Sequence, residues 1–275
     1  MDRVKQGTAV AIANTWYTDG AVADPGTVTV GITSDDGTIL VAPGTATMGT
    51  GAASRTFNLT ALDTALLDIL TVTWVSTLQG PDTSIIEIVG DFLFTIAQAR
   101  AMAPLSNTTI YPTARIAEVR TLVETSLEDA CGVAFVPRYR REAVNGSGGT
   151  KLVLSRPRVI AIRSVLLGGV VTSFIDIVPS GPGVLYNPLG WTAGFGNYSI
   201  AYEHGYPTPP PMATRAALTW AKRFLVEGPI DDRATSMSSA DGTFMLLTPG
   251  IRGSVSGIPV VDAFIQQYDE RGMVA

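Results

Sequence analysis

The stretch KLVLSRPRVIAIRSVLLGG, residues 151–169, decides the fold more than any other part of the chain. Its apolar residues are spaced as in β-strands, and Pro157 must lie at an edge, a bulge or a strand start, because proline cannot donate a ladder hydrogen bond. The stretch YSIAYEHGYPTPPPMATRAALTWAKRFLVEG, residues 198–228, runs from a strand through a proline-rich turn into a helix with one alanine-rich apolar face. Together the two stretches predict a small sheet packed against helices.

Another helix is predicted over residues 113–130, where apolar residues recur at helical spacing and Gly132 is well placed to end the helix in a left-handed conformation. Its charged residues are expected to face water or a neighbouring molecule: Arg115, Glu118, Arg120, Glu124 and Glu128. Pro259 opens a last short helix with apolar residues on one face. These patterns predict a small helix bundle with a short β-sheet or hairpin over residues 112–230.

Residues 1–95 have a different pattern, with alternating β-branched and aromatic runs separated by turn sequences such as DPG at 24–26 and SDDG at 34–37. This spacing predicts an antiparallel β-sandwich. Residues 1–99 hold three basic residues against ten acidic ones, whereas the remainder holds sixteen against fourteen. The fold class is therefore predicted to be α+β multidomain, with a linker at 96–111 after the sandwich. Residues 231–275 are expected to form an extended segment and a C-terminal helix, and 231–257 should be functional or mobile, because it is too long and polar for an ordinary connection.

Residue types that carry catalysis or bind metals are sparse in this sequence. His204 is the single histidine, and its neighbour Glu203 points to the opposite face of a strand. Cys131 is expected to be a buried packing thiol at a helix C-terminus, where the dipole does not activate it. The glycines of residues 190–199 lack the lysine and spacing of a phosphate loop, and the turn with Asp35 and Asp36 is better explained as a polar turn than as a calcium site. No catalysis, metal or cofactor is predicted.

The most prominent charge feature is a basic run that contains a single acidic residue, Glu142. It consists of Arg138, Arg140, Arg141, Lys151, Arg156, Arg158 and Arg163. Such a run contacts phosphates or an acidic partner surface. It equally fits a solvated sheet edge whose charges deter aggregation. The residues alone leave both interpretations open.

A family resemblance is carried by the combination of three stretches with a fourth near the C-terminus. VRTLVETSLEDACGVAFVPRY (119–139), followed by the stretches at 151–169 and 198–228, resembles the head-to-tail connector proteins of long-tailed bacteriophages, also called adaptor or head-completion proteins. SSADGTFMLLTPGIRGSVSGIPVVDAFIQQY (238–268) is similar to the version found in phages of actinobacteria. The resemblance covers roughly residues 112–270, and any one stretch alone is a weak signal.

This resemblance implies a structural role without chemistry. Such proteins form a ring, usually of twelve copies, beneath the portal protein, and they extend the channel through which double-stranded DNA passes without sequence readout. The implied partners are the portal, a tail-side stopper or terminator protein and further copies of the chain. The implied location is the head–tail interface of the virion, after assembly in the host cytoplasm. Neither a secretion signal nor a membrane span is expected from the sequence.

The resemblance also gives roles to particular residues. The residues expected to dock on the portal are Phe244, Leu246, Thr248, Pro249, Gly250, Ile251, Arg252, Gly253, Ile258 and Pro259. Those expected to face the channel or a neighbouring subunit are Arg138, Arg140, Arg141, Lys151, Arg156 and Arg158. The acidic sandwich at 1–95 departs from the minimal family pattern and is expected to point outward as a decoration. An alternative function is a binding module in which that sandwich attaches to a surface or carbohydrate. Exposed aromatic residues would support it, but Trp16, Tyr17 and Trp74 fit the core or an edge equally well.

Overall fold

The computed structural model describes residues 2–48, 53–226, 236–239, 242–245 and 255–271, with backbone alone for the two short strands at 236–239 and 242–245. The fold is mixed α+β. No helix in the described part of the chain has the length and apolar character needed to cross a bilayer.

The N-terminal module, defined as residues 2–95, is built from strands. They are β1 (Asp2–Lys5), β2 (Val10–Thr15), β3 (Tyr17–Thr18), β4 (Ala21–Val22), β5 (Val28–Thr33), β6 (Ile39–Thr45), β7 (Thr47–Met48), β8 (Ser54–Leu59), β9 (Asp68–Ser76) and β10 (Gly80–Val89). A five-stranded sheet has the order β1-β10-β9-β5-β6, and a three-stranded sheet has the order β2-β8-β7. The remaining pair, β3 and β4, forms a two-stranded ribbon.

Residues of both larger sheets contribute to one apolar core. Alternate residues of β5 and β9 point inward and are fully buried, as the period of two along a strand requires. Ile12 and Phe57 of the three-stranded sheet pack against the same core. All the ladders are antiparallel as predicted except that β1 runs parallel to β10. The sandwich arrangement itself stays a prediction.

Four helices form a second core. They are α1 (Ile96–Arg100), α2 (Thr113–Cys131), α3 (Pro211–Leu225) and α4 (Pro259–Tyr268). Gly132 ends α2 in the left-handed conformation at φ 73°, as the sequence predicts, and proline opens both α3 and α4. Ala99 and Leu105, within the predicted linker, are buried in this core. Part of the predicted linker therefore packs into the helical core.

The strands of the second half are more extensive than the predicted short sheet or hairpin. They are β11 (Arg138–Gly146), β12 (Lys151–Val153), β13 (Val159–Leu167), β14 (Val170–Thr172), β15 (Val178–Gly181), β16 (Val184–Tyr186), β17 (Gly194–His204), β18 (Ser236–Ser239) and β19 (Gly242–Met245). A four-stranded sheet, β11-β17-β13-β14, lies beside a three-stranded sheet, β12-β16-β15, and they share a core around Trp191 and Tyr202. Pro157 falls between β12 and β13, consistent with its inability to donate a ladder bond.

Candidate functional site

A buried ion cluster joins the N-terminal module to the helices and to β11. Arg3 on β1 donates to Glu87 on β10 at 3.1 Å, and to Glu124 and Glu128 on α2 at 3.1 and 3.3 Å. Arg138 at the start of β11 donates to Glu128 at 2.7 Å and also pairs with Glu87. The five side chains are between 0 and 12% exposed. Ion pairs as well as apolar contacts therefore join the N-terminal module, α2 and β11.

The hydrogen bonds around this ion cluster hold its charges in place. Burial raises the pKa of Glu124, and the backbone N–H of Leu93, which donates to its Oε1 at 2.7 Å, together with Arg3 opposes that effect. Burial lowers the pKa of Arg138, but the carboxylates of Glu128 and Glu87 outweigh it and raise that pKa above its ordinary value. Arg138 therefore remains a cation inside the protein, with its charge compensated locally.

The burial of these charged residues and of the neighbouring Arg120 corrects two expectations from the sequence. Arg120 and Glu124 on α2 do not face water, since they are 8% and 0% exposed. The guanidinium of Arg120 lies over the Phe92 ring, with 3.3 Å from Cζ to the centroid. Arg138 is not a surface group available to a channel or a second subunit, since it is 3% exposed and paired within the chain.

Three further members of the basic run are paired with acidic residues that lie far away in sequence. Arg141 pairs with Asp35 at 3.1 Å, Arg158 with Glu270 at 2.6 Å and Arg163 with Glu203 at 2.6 Å. Arg158 also lies over the Tyr206 ring at 4.1 Å and adopts a positive φ of 55°. These ion pairs neutralise the three arginines within the chain. Most of the basic run therefore does not form a continuous positive surface.

The remaining three cations are Arg140, Lys151 and Arg156. Arg140 lies 3.7 Å from Glu142, and its Nε has no hydrogen-bond partner among the described residues. Lys151 and Arg156 form no ion pair with any residue that the structure describes. Contact of these three with a channel or a neighbouring subunit stays a prediction.

His204 ends β17 and lies among these cations. It is opposite Arg138 on β11 and Val159 on β13, and it is 6% exposed. Burial, followed by the charges of Arg156, Arg138 and Arg140, lowers its pKa from 6.5 to about 3. Its neighbour Glu203 belongs to the opposite face and pairs with Arg163, so the two do not form a catalytic pair.

The depressed pKa of His204 predicts an acid-sensitive fold. The unfolded chain binds a proton at this residue below pH 6.5, whereas the folded chain does so only near pH 3. Between these limits the free energy of unfolding should fall by about 1 kcal/mol for each unit that the pH falls, because of this residue. Above pH 6.5 the residue should not change it. Urea unfolding of the wild type and of His204→Gln from neutral to acidic pH measures this. Equal slopes in the two proteins would contradict the prediction.

The other residues considered for catalysis or metal binding, Cys131 and Asp36, are held by contacts within the fold. Cys131 is buried, its Sγ lies 4.0 Å from the carbonyl oxygen of Ile265, and burial raises its pKa to about 12. Asp36 accepts hydrogen bonds from Ser34 and Thr38, which lower its pKa to about 2. Within the described ranges no group of three or more histidine, cysteine or acidic residues is arranged to hold a metal ion.

The predicted portal-docking residues lie between α3 and α4 and at the start of α4. Phe244 belongs to β19, for which the backbone alone is described, and the predicted residues from Leu246 to Gly253 lie outside the described residues. Ile258 packs against the helical core, while Pro259 is exposed at the first turn of α4. Asp262 accepts the backbone N–H groups of Val255 and Ser256 at 3.0 and 2.8 Å. The return into α4 is therefore tightly hydrogen-bonded.

Comparisons with known proteins give a loose structural likeness and no sequence match. No protein-family model and no curated protein sequence matches the chain. A solved structure described as the neck of an empty GTA particle computed with C6 symmetry has a TM-score of 0.44 and 17% identity to it. The overlap covers 64% of this chain and 89% of that one. These values do not assign a family.

Proposed function

We propose that this chain is a virion structural protein that forms an adaptor ring between the portal and the tail-side connector and extends the DNA channel without catalysis. The proposal rests on the resemblance of residues 112–270 to phage connector proteins. Within it, residues 1–95 are an outward decoration, residues 112–230 the adaptor core and residues 231–275 the portal-docking part. The ring would assemble in the host cytoplasm and reside at the head–tail interface of the virion.

The structural observation that best supports the proposal is the anchoring of the segment between α3 and α4. Ala217 and Leu225 of α3 belong to the same core as Val261 and Phe264 of α4. The α3 and α4 helices on either side of the connecting segment are therefore held by the same core. In this proposal the segment contacts the portal, and α4 holds the C-terminal end of that contact in place.

Electron microscopy of the chain mixed with the portal from the same particle tests this proposal. We expect a ring of added density at the narrow end of the portal, and we expect that ring to disappear when residues 246–253 are replaced by a glycine–serine segment of equal length. Truncation before α4 is unsuitable for this test, because it would remove buried core residues such as Val261 and Ile265.

A matched control changes exposed apolar residues elsewhere. Leu62→Ser and Leu66→Ser alter side chains that are 83% and 61% exposed in the N-terminal module, and we expect this double variant to bind the portal like the wild type. Absence of any complex with the portal would refute the adaptor function. An unchanged ring after replacement of residues 246–253 would refute the docking role of that segment while leaving the adaptor function standing.

The alternative function, a surface or carbohydrate module, loses most of its support in the structure. Trp16 and Trp74 are 6% and 1% exposed and pack edge to face at 6.2 Å in the core of the N-terminal module. Of the three aromatic residues considered above, Tyr17 is exposed, at 63%. A flat sugar-binding surface of stacked aromatic rings is not formed by these residues.

A further inference from the structure

The N-terminal module and the helices have separate apolar cores. Every described residue in the core of the N-terminal module lies within residues 4–88, and every one in the helical core lies within residues 93–268. The chain crosses from one core to the other at residues 90–92, where the backbone N–H of Gly90 donates to the carbonyl oxygen of Pro137 at 2.9 Å. Opening the contacts between the two parts would therefore leave both cores closed.

The junction between the two parts has a small apolar contact surrounded by charged groups. Leu67 and Ile69 of the N-terminal module belong to one apolar cluster with Tyr139 of the four-stranded sheet. Beside it, Asp35 pairs with Arg141 at 3.1 Å and accepts a hydrogen bond from the Tyr139 hydroxyl at 3.1 Å. The buried ion cluster supplies the contacts to α2 and to the start of β11. Charged groups are therefore a large part of this junction.

A charged junction separates at a lower cost in free energy than an apolar one. When it opens, the guanidinium groups of Arg3 and Arg138 and the carboxylates of their partners return to water, and their hydration replaces much of the lost attraction. Apolar surface gains no such compensation when it is exposed. Ion pairs of fixed geometry nevertheless specify one docked orientation. Contacts between domains that are polar in this way are also those that permit relative motion.

We propose that the ion cluster is a releasable latch, from which strands β1–β10 of the N-terminal module undock as a folded unit by turning about residues 90–92. Release uncovers an acidic surface on the module, with Asp35 and Glu87, and a basic surface on the rest of the chain, with Arg138 and Arg141. Because the two surfaces are complementary in charge, the module returns to the same docked position. Release of the module does not depend on the adaptor function proposed above.

Thiol labelling of the full chain tests this proposal, because a buried cysteine reacts only when its surroundings open. Ala201→Cys places a thiol in the junction, since Ala201 belongs to the same apolar cluster as Leu67 and is 2% exposed. Val72→Cys places one in the core of the N-terminal module, where the side chain is 0% exposed, and the native Cys131 reports on the helical core. Mass spectrometry of peptides gives each labelling rate, which is divided by the rate of the same thiol in urea-unfolded protein.

We expect the junction thiol to be labelled about a hundredfold faster than the two core thiols after this division. Arg138→Met should accelerate labelling of the junction thiol about tenfold or more, because Glu87 and Glu128 lose their shared cation. Arg138→Met with Glu87→Met removes one cation and one anion together, so its junction thiol should be labelled severalfold more slowly than in Arg138→Met alone. An equal rate in these two variants would show that packing, and not charge, holds the module, and would overturn the latch.

A variant of the helical core separates release of the module from unfolding. Phe264→Ala should accelerate labelling of Cys131 and leave the junction thiol unchanged, because undocking does not open the helical core. Equal acceleration of both thiols, or one common rate for all three thiols in the wild type, would overturn the proposal, since the chain would then open as a single cooperative unit.

Two further variants are controls for the junction thiol. Arg115→Met removes an arginine from an exposed pair on α2 and should not change its labelling. Leu67→Cys places a thiol on the opposite side of the junction, at a side chain that is also 2% exposed, and should be labelled at the same normalised rate as Ala201→Cys. If Leu67→Cys is labelled as slowly as the core thiols, the junction does not open and the proposal is wrong.

Discussion

Arg138→Met is expected to lower the free energy of unfolding by about 3–5 kcal/mol, because Glu87 and Glu128 would then remain buried without their shared counter-charge. Methionine preserves much of the side-chain length, so the loss arises mainly from the unpaired carboxylates. Arg3 can still reach Glu87, Glu124 and Glu128, but a single cation would then serve three acidic groups. Urea unfolding followed by circular dichroism measures the change.

Arg115→Met is the matched control, since it removes the same charge from an exposed pair. Arg115 and Glu118 lie 3.0 Å apart on α2, with side chains 54% and 70% exposed. Such a pair contributes roughly 0–1 kcal/mol, because water and salt screen it. Equal losses in the two variants would show that the buried ion cluster does not stabilise the junction between the N-terminal module and the rest.

The sequence predicts best those helix and strand ends that a single glycine or proline determines. Gly132 ends α2 because a residue without Cβ adopts the left-handed conformation at little cost, and this can be read from a single position after a periodic helix. Pro211 begins α3 and Pro259 begins α4, where the missing N–H is not needed. Pro157 separates two strands for the related reason that it cannot donate to a ladder.

The buried ion cluster could not be predicted from these local signals. Glu124 and Arg120 sit among charged residues of α2 and look like a solvated helix face, which is the common case. Glu124 is buried against Arg3, which lies far away in sequence, and Arg120 lies over the Phe92 ring just beyond the last strand of the N-terminal module. Both contacts form only when the N-terminal module packs on the helices. The tertiary structure therefore overrides the helical pattern at these positions.

The basic run illustrates the same difficulty for the candidate site. Counting charges along the sequence makes Arg138 to Arg163 look like one positive surface with a single opposing Glu142. The partners of Arg141, Arg158 and Arg163 are Asp35, Glu203 and Glu270. These partners come from the N-terminal module, from β17 and from the end of α4. Only the fold reveals that, within the described part of the chain, Arg156 and Lys151 are the members of the run without an ion pair, and that Arg140 lies 3.7 Å from Glu142.

Phe264→Ala should lower the free energy of unfolding by about 3–5 kcal/mol, because it leaves a large cavity between α4 and the helical core. Phe264 is 1% exposed, and its ring lies 5.0 Å from Phe135 and 4.6 Å from Tyr268. Phe224→Ala on α3 is the matched control, since that ring is 43% exposed and stacks on Trp220 alone among the described aromatic rings. We expect it to cost about 1 kcal/mol or less.

The thiol of Cys131 distinguishes local release of α4 from global destabilisation in these variants. Its Sγ is fully buried beneath α4, 4.0 Å from the Ile265 carbonyl oxygen, and the backbone N–H of Glu270 donates to the carbonyl oxygen of Cys131 at 2.7 Å. If Phe264→Ala lets α4 detach, a thiol reagent should modify Cys131 under native conditions much faster than in the wild type or in Phe224→Ala. Unchanged thiol reactivity together with unchanged stability would mean that α4 is not needed to close the core. The C-terminal anchor assumed for the portal-docking segment would then be lost.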